Sequence, residues 1–229
     1  MAMSRLRIGL ALLAALALQP IAGAGAQAAS PYLLPVPAGT TVLVFQGNNS
    51  AYDHVAANGS AYSWDFTVGA TEFPVVAARG GTVIGARSDS TNTKCRDMSC
   101  WKDANYVVID HGDGTSALYL HLATGSVVVK VGQAVAQGAP LGRADCTGFS
   151  FGTHLHFMVE TTPSGRTGAW WWTHSVPITF ADAGPALEDH SYVSQNRGGG
   201  GAGVTPPPSV TPTATPTPTA SPSPSAVCM

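Results

Sequence analysis

Charge is scarce in this chain and its balance leans negative: Asp, Glu, Lys and Arg make up 10% of the residues, with 11 Lys plus Arg against 13 Asp plus Glu. A nucleic-acid binder needs a basic face to meet phosphates, so that class of partner is excluded. After residue 30 no apolar run is long enough to cross a membrane as a helix, and few strong helix formers cluster together. The four cysteines, Cys95, Cys100, Cys146 and Cys228, are scattered with no C-x-x-C pair, which argues against a zinc-thiolate centre. No H-E-x-x-H is present, so a helical metal site with a glutamate base is missing. The turn at Asp113-Gly114 holds no lysine, which removes a carrier-domain reading of the hairpin-like stretches 78–84 and 131–141.

What is present begins with a secretory pattern. Arg5 and Arg7 precede an apolar run from Ile8 to Leu18, and Ala24-Gly25-Ala26 and Ala26-Gln27-Ala28 both fit a cleavage site. Residues 1–28 are therefore expected to be a signal peptide. No cysteine stands at the cleavage point to carry a lipid. Losing Arg5 and Arg7 takes Lys plus Arg from 11 to 9 against 13 acids, a mature net charge near −4. The expected location is secreted or extracellular, with cell-wall association open. Disulfides are the default for cysteines in such a chain. Cys95 and Cys100 share one polar loop and suit a local bridge; one of them paired with Cys146 would instead close a loop of roughly 50 residues, worth about 4 kcal/mol in the chain-entropy model. At the other end, residues 196–229 turn Gly-rich and then alternate Pro with Thr and Ser, the composition of an extended tail that cannot pack.

Between these ends, residues 31–195 read as one all-β domain. Strands are expected at 41–46, 61–68, 73–78, 81–87, 105–110, 115–121 and 127–131, with a short one within 132–142. Another runs through His154 and His156 to about 161, and one or two cover 170–172 and 178–180. These runs are rich in β-branched and aromatic residues and are separated by Gly, Asn and Asp turns. Closely spaced strands without a helical period specify an antiparallel sandwich or barrel-like domain. Within 61–68, Tyr62, Trp64, Phe66 and Val68 fall on one face, leaving Asp65 on the other. That places an acid in the middle of a strand, which is either an ordinary exposed position or a functional one.

The chemistry points to Thr153-His154-Leu155-His156-Phe157. Histidines two apart on a strand share a face, and imidazole both binds zinc and moves protons near neutral pH. Five other histidines exist: His54, His111, His121, His174 and His190. His121 ends a strand as Tyr119-Leu120-His121. His111 beside the 112–114 turn, and His174 and His190 outside any motif, are expected on the surface. Trp170, Trp171 and Trp172 either stack on a sugar or bury in a last strand. Tyr52, just before His54, is a weaker candidate to bind an oxyanion.

Taken together these motifs resemble the M23 peptidases of the LytM and lysostaphin type. The likeness rests on a His followed by an Asp (His54, Asp65), on Tyr119-Leu120-His121, and on the Gly-rich run from Gly148 into His154-Leu155-His156. Phe73 to Val83, Asn105 to Gly112 and Val131 to Val135 resemble the family's framework segments, so the similarity covers about 40–160. One feature departs from the family's commonest H-x-x-x-D: ten residues lie between His54 and Asp65, a longer spacing of the kind found in beta-lytic members. The resemblance implies one Zn2+ per chain held by His54, Asp65 and His156. It also implies that unligated His121 and His154 divide the roles of proton acceptor and oxyanion partner. The implied activity is zinc metalloendopeptidase hydrolysis of peptide bonds in bacterial cell-wall peptidoglycan, by a monomer. The alternative is an inactive relative that binds or regulates cell-wall enzymes; such relatives usually lack one of the five positions, and all five are filled here.

Overall fold

The computed structural model describes residues 31–69, 71–93, 95–162 and 172–198. The expected signal peptide and the tail beyond 198 lie outside the described residues. Ten strands are formed: β1 (Thr41–Gln46), β2 (Ser63–Thr67), β3 (Phe73–Val76), β4 (Gly81–Arg87), β5 (Asn105–Asp110), β6 (Thr115–Leu122), β7 (Ala134–Val135), β8 (Pro140–Ala144), β9 (Leu155–Thr161) and β10 (Ser191–Val193). Every strand pairing is antiparallel. The main sheet runs β10-β1-β2-β9-β6-β5-β4-β7, and β8 links β3 to β6. Among the described strands β3 pairs with β8 alone, and this edge position suits Pro74, which has no N–H to donate. The only helical pieces among the described residues are two 3-10 turns, Ala56–Asn58 and Met98–Asp103, and none is long and apolar enough to span a membrane. This is the expected all-β antiparallel class.

Alternation gives the central strands two different faces. Trp64 and Phe66 of β2, Ala117 and Tyr119 of β6, and Leu155, Phe157 and Val159 of β9 enter the main core. Phe73 and Val75 of β3, Leu141 and Ala144 of β8, the lead-in residues Leu34 and Val36, and Phe180 cover them from the other side. The buried Tyr119 hydroxyl is satisfied by the Ala78 amide at 2.8 Å. On the opposite face, Leu118, Leu120, Met158, Tyr106 and Val108 form a smaller cluster, with Ile84 and Trp172 against it. The ionisable site is built on this second face.

Several expectations need correction. Residues 127–131 are not a strand. Their amides bond singly, Val128 to the Leu141 carbonyl and Val127 to the Ser88 hydroxyl, so no ladder forms. Residues 178–180 likewise give only isolated bridges at Phe180. The last strand is instead β10, three residues whose Cα partners are Thr41, Val42 and Leu43. At three residues, Ser191-Tyr192-Val193, it is too short to stand out as a periodic run. The segment 132–142 contributes to two strands, β7 and β8, rather than one. Cys95 and Cys100 lie within disulfide reach, their Cα atoms 6.4 Å apart, in the polar loop of the second 3-10 turn. Asn196 still belongs to the fold: its amide donates to the Leu34 and Ala77 carbonyls, both at 3.0 Å.

Candidate metal centre

Strand register sets the first two side chains. In the β2–β9 ladder Asp65 lies opposite His156, on the face away from Trp64 and Phe66. The carboxylate is only 5% exposed, so it is no ordinary solvated position. His54 arrives from the loop after β1, and the insert between it and Asp65 folds through the 3-10 turn Ala56–Asn58 with Gly59 left-handed at φ 77°. His54 is fully buried. His154 precedes β9 and bridges to Asp145.

His121 reaches the site through a break in strand parity. Regular alternation would send it into the main core after Ala117 and Tyr119. Its φ is instead +63°, and the β5–β6 register slips between Leu120 and Leu122. The bulge turns the His121 side chain to the site face and puts Leu122 in the core. A left-handed residue that is not glycine costs roughly 1–2 kcal/mol, so the surrounding ladders must hold it.

Three donor atoms converge. His54 Nε2 is 3.3 Å from His156 Nδ1 and 3.4 Å from Asp65 Oδ1, and His156 Nδ1 is 2.9 Å from that same oxygen. A tetrahedral zinc with bonds of ~2.0–2.1 Å spaces its ligand atoms about 3.3–3.4 Å apart. Two imidazoles and one carboxylate at this spacing, all buried, therefore fit zinc. The outer nitrogens explain how the rings are aimed. His54 Nδ1 donates to the Gly47 carbonyl at 2.9 Å, His121 Nδ1 to Thr147 O at 2.7 Å, and His154 Nδ1 to Gly152 O at 2.8 Å. A carbonyl can only accept, so each Nδ1 carries the proton and each Nε2 is left with a lone pair. The His121 and His154 ring centres are 4.6 Å apart, and His154 Nε2 lies 3.8 Å from Asp65 Oδ1.

The charges follow from this packing. Burial opposes ionisation of Asp65, but His154, His54 and the hydrogen bond from His156 outweigh it and hold the carboxyl well below its usual range. Burial lowers His54 as well, yet the Asp65 carboxylate reverses this and raises it. A metal ion would compete with that proton for the same Nε2. Burial and repulsion from His154 keep His121 well below the ordinary imidazole value, and burial also lowers His156.

All five residues singled out by sequence thus come together: His54, Asp65 and His156 in one triangle, His121 and His154 beside it. Others do not join. Tyr52 is 90% exposed. His174 and His190 are exposed, whereas His111 is half-buried rather than on the surface, its Nδ1 donating to Gly80 O. Trp170 and Trp171 lie outside the described residues. Sequence reasoning missed the carbonyls of Gly47, Thr147 and Gly152, whose roles depend on backbone direction and leave no side-chain signature. It also missed the edge-on contact of Phe45 with His154 at 5.4 Å and the placement of Trp172, which stacks on His156.

Residues 60–167 match the model of peptidase family M23. His54 lies upstream of that match, so its place in the site rests on the fold. Among curated proteins, peptidoglycan DD-endopeptidase ShyA of Vibrio cholerae serotype O1 is 45% identical over 53 residues, 23% of this chain and 12% of that protein. ShyB of the same organism is 44% identical over 55 residues, 24% and 12%. The chain therefore matches only about an eighth of either relative's length. Among solved structures, a zinc-containing peptidase from Vibrio cholerae is 26% identical over 58% of this chain and 37% of the other, with a TM-score of 0.42. The catalytic domain of lysostaphin from Staphylococcus simulans is 23% identical over 53% and 79%, with a TM-score of 0.37.

Proposed function

We propose that this chain is an exported zinc endopeptidase that hydrolyses peptide bonds of bacterial cell-wall peptidoglycan. The observation that carries the reading is the convergence of His54 Nε2, Asp65 Oδ1 and His156 Nδ1 beside two histidines with free Nε2 atoms. The peptidoglycan endopeptidase relatives support the substrate class, and the secretory pattern of residues 1–28 supports export to the wall. Bound in the triangle, zinc would supply Lewis acidity, making water acidic enough to attack at neutral pH and polarising the scissile carbonyl. The protein's own part is proton handling. His121, kept neutral by burial, accepts the proton of the attacking water at Nε2. His154, fixed by the Gly152 carbonyl, presents its Nε2 to the developing oxyanion when protonated there. The proton held on His121 then passes to the leaving amine. Asp65 supplies the fixed negative charge that keeps the cluster attractive to a cation.

The test is digestion of purified peptidoglycan by the full chain and by His156→Ala, each with and without a zinc chelator, with fragments identified by mass. New amine and carboxyl termini released by the wild type alone, and lost on chelation, are expected. Release that persists in His156→Ala and under chelation overturns the assignment. Bound zinc without any release would favour the inactive, wall-binding alternative.

A further inference from the structure

Three of the four site imidazoles are aimed by a hydrogen bond to a backbone carbonyl; His156 is not. Its Nδ1 faces Asp65 and His54, and its Nε2 is buried with no hydrogen-bond partner. What lies against this ring is Trp172, stacked at 5.2 Å between centroids and 23° between planes. The indole is itself fixed. Its Nε1–H donates to the Asn58 carbonyl at 2.7 Å, inside the ten-residue insert that separates His54 from Asp65. The strap carrying it, 172–175, is tied on both sides. The fully buried Glu160 accepts from the Thr173 amide at 2.5 Å and the Thr173 hydroxyl at 2.9 Å. The Ser175 amide donates to Gly59 O at 2.7 Å, and the Tyr62 amide donates to the Ser175 hydroxyl at 2.9 Å. A Cβ on Gly59 would stand 2.6 Å from Thr173 O, so the insert is pressed directly onto the strap.

We propose that Trp172 is a positioning residue of the metal centre. One side chain stacks on His156 and ties down the insert that delivers His54, so it sets how far apart these two donors stand. The long His54–Asp65 spacing gives such a tie its purpose: ten intervening residues would otherwise let His54 drift, and the Asn58 bond restrains the insert. This rests on the zinc reading above, and the experiment separates the two. Zinc affinity of the folded full chain is measured by competition with a chromophoric chelator for wild type, Trp172→Phe and Trp172→Leu. Thermal melting of the metal-free proteins and the visible spectrum of the Co2+-loaded proteins are recorded alongside. Loss of a supporting contact to a metal ligand typically costs about 10–100-fold in affinity. A loss in that range is expected for Trp172→Leu, with an altered Co2+ spectrum. Trp172→Phe, which keeps a ring but lacks the N–H, is expected to recover part of the affinity. Wild-type affinity and spectrum in both variants would overturn the proposal, as would a lowered melting temperature with zinc affinity unchanged. Should Trp172→Leu not fold, Trp172→Phe alone decides, by whether its affinity falls. A wild-type chain that binds no zinc would instead remove the metal reading itself.

Discussion

The two ends of β6 each gather ionisable side chains, and the contrast shows what distinguishes a reactive cluster from a structural one. At its start, Arg79 pairs with Asp113 at 2.7 Å, lies over the Tyr32 ring at 5.3 Å, and has Tyr32 edge-on to His111. One cation meets one anion, and the pair is balanced within the protein. Roughly 24 Å along the eight-residue strand, at ~3.4 Å per residue, His121 joins three other imidazoles around one carboxylate. There Asp65 Oδ1 lies within 4 Å of ring nitrogens of His54, His154 and His156 at once. On the proposed reading, the geometry at this end would be resolved by a cation that the protein does not itself supply.

The largest difference should therefore appear on removing a donor. Asp65→Asn keeps the shape but loses the charge that draws a cation in. Zinc affinity is expected to fall by more than the ~100-fold typical of losing a supporting partner, and hydrolysis with it. Zinc also serves as a stability probe. At a concentration 100 times its dissociation constant it adds about 2.7 kcal/mol, which for a domain of this size is roughly 5–10 °C in melting temperature. Wild type should show that rise and Asp65→Asn should not. An equal rise in both would place the metal elsewhere.

Next come His121 and His154. Replacing either by Ala is expected to leave bound zinc near one per chain while lowering kcat by about 10²–10⁴-fold, the range for a positioned acid or base. Zinc content and turnover measured on the same sample check this. Loss of zinc in His121→Ala would make that residue a ligand and not a proton acceptor.

These five residues were legible because local motifs carrying them resemble the M23 family, and β1 and β5 because their apolar and β-branched runs are unbroken. Less visible were features that depend on the third dimension. That His121 faces the site was legible only through family likeness, since strict alternation points it into the core and only the bulge reverses that. The run 127–131 has the composition of a strand, but its amides find partners one at a time. β10 is only three residues long, too short for a period to show, and pairs along the edge that β1 offers. Trp172 stood out as an aromatic, yet its place on His156 requires the strap after β9 to fold back over the insert after His54.

The smallest effect is expected at the balanced end. Burial works against ionisation of Asp113, but the Thr115 hydroxyl and amide and the Arg79 guanidinium prevail and pull its pKa down to about 2. The folded value lies below the unfolded one, so the contribution is complete above the ordinary carboxylate pKa and disappears as pH falls toward about 2. The Asp113 side chain is 40% exposed, and screening by water holds such a pair to about 1 kcal/mol or less. Asp113→Asn should thus lower denaturant stability slightly at pH 7, converge with wild type near pH 2, and leave zinc affinity and hydrolysis unchanged. A loss of activity in this variant would mean that the two ends of β6 are coupled through the strand, and the separation drawn between them would fail.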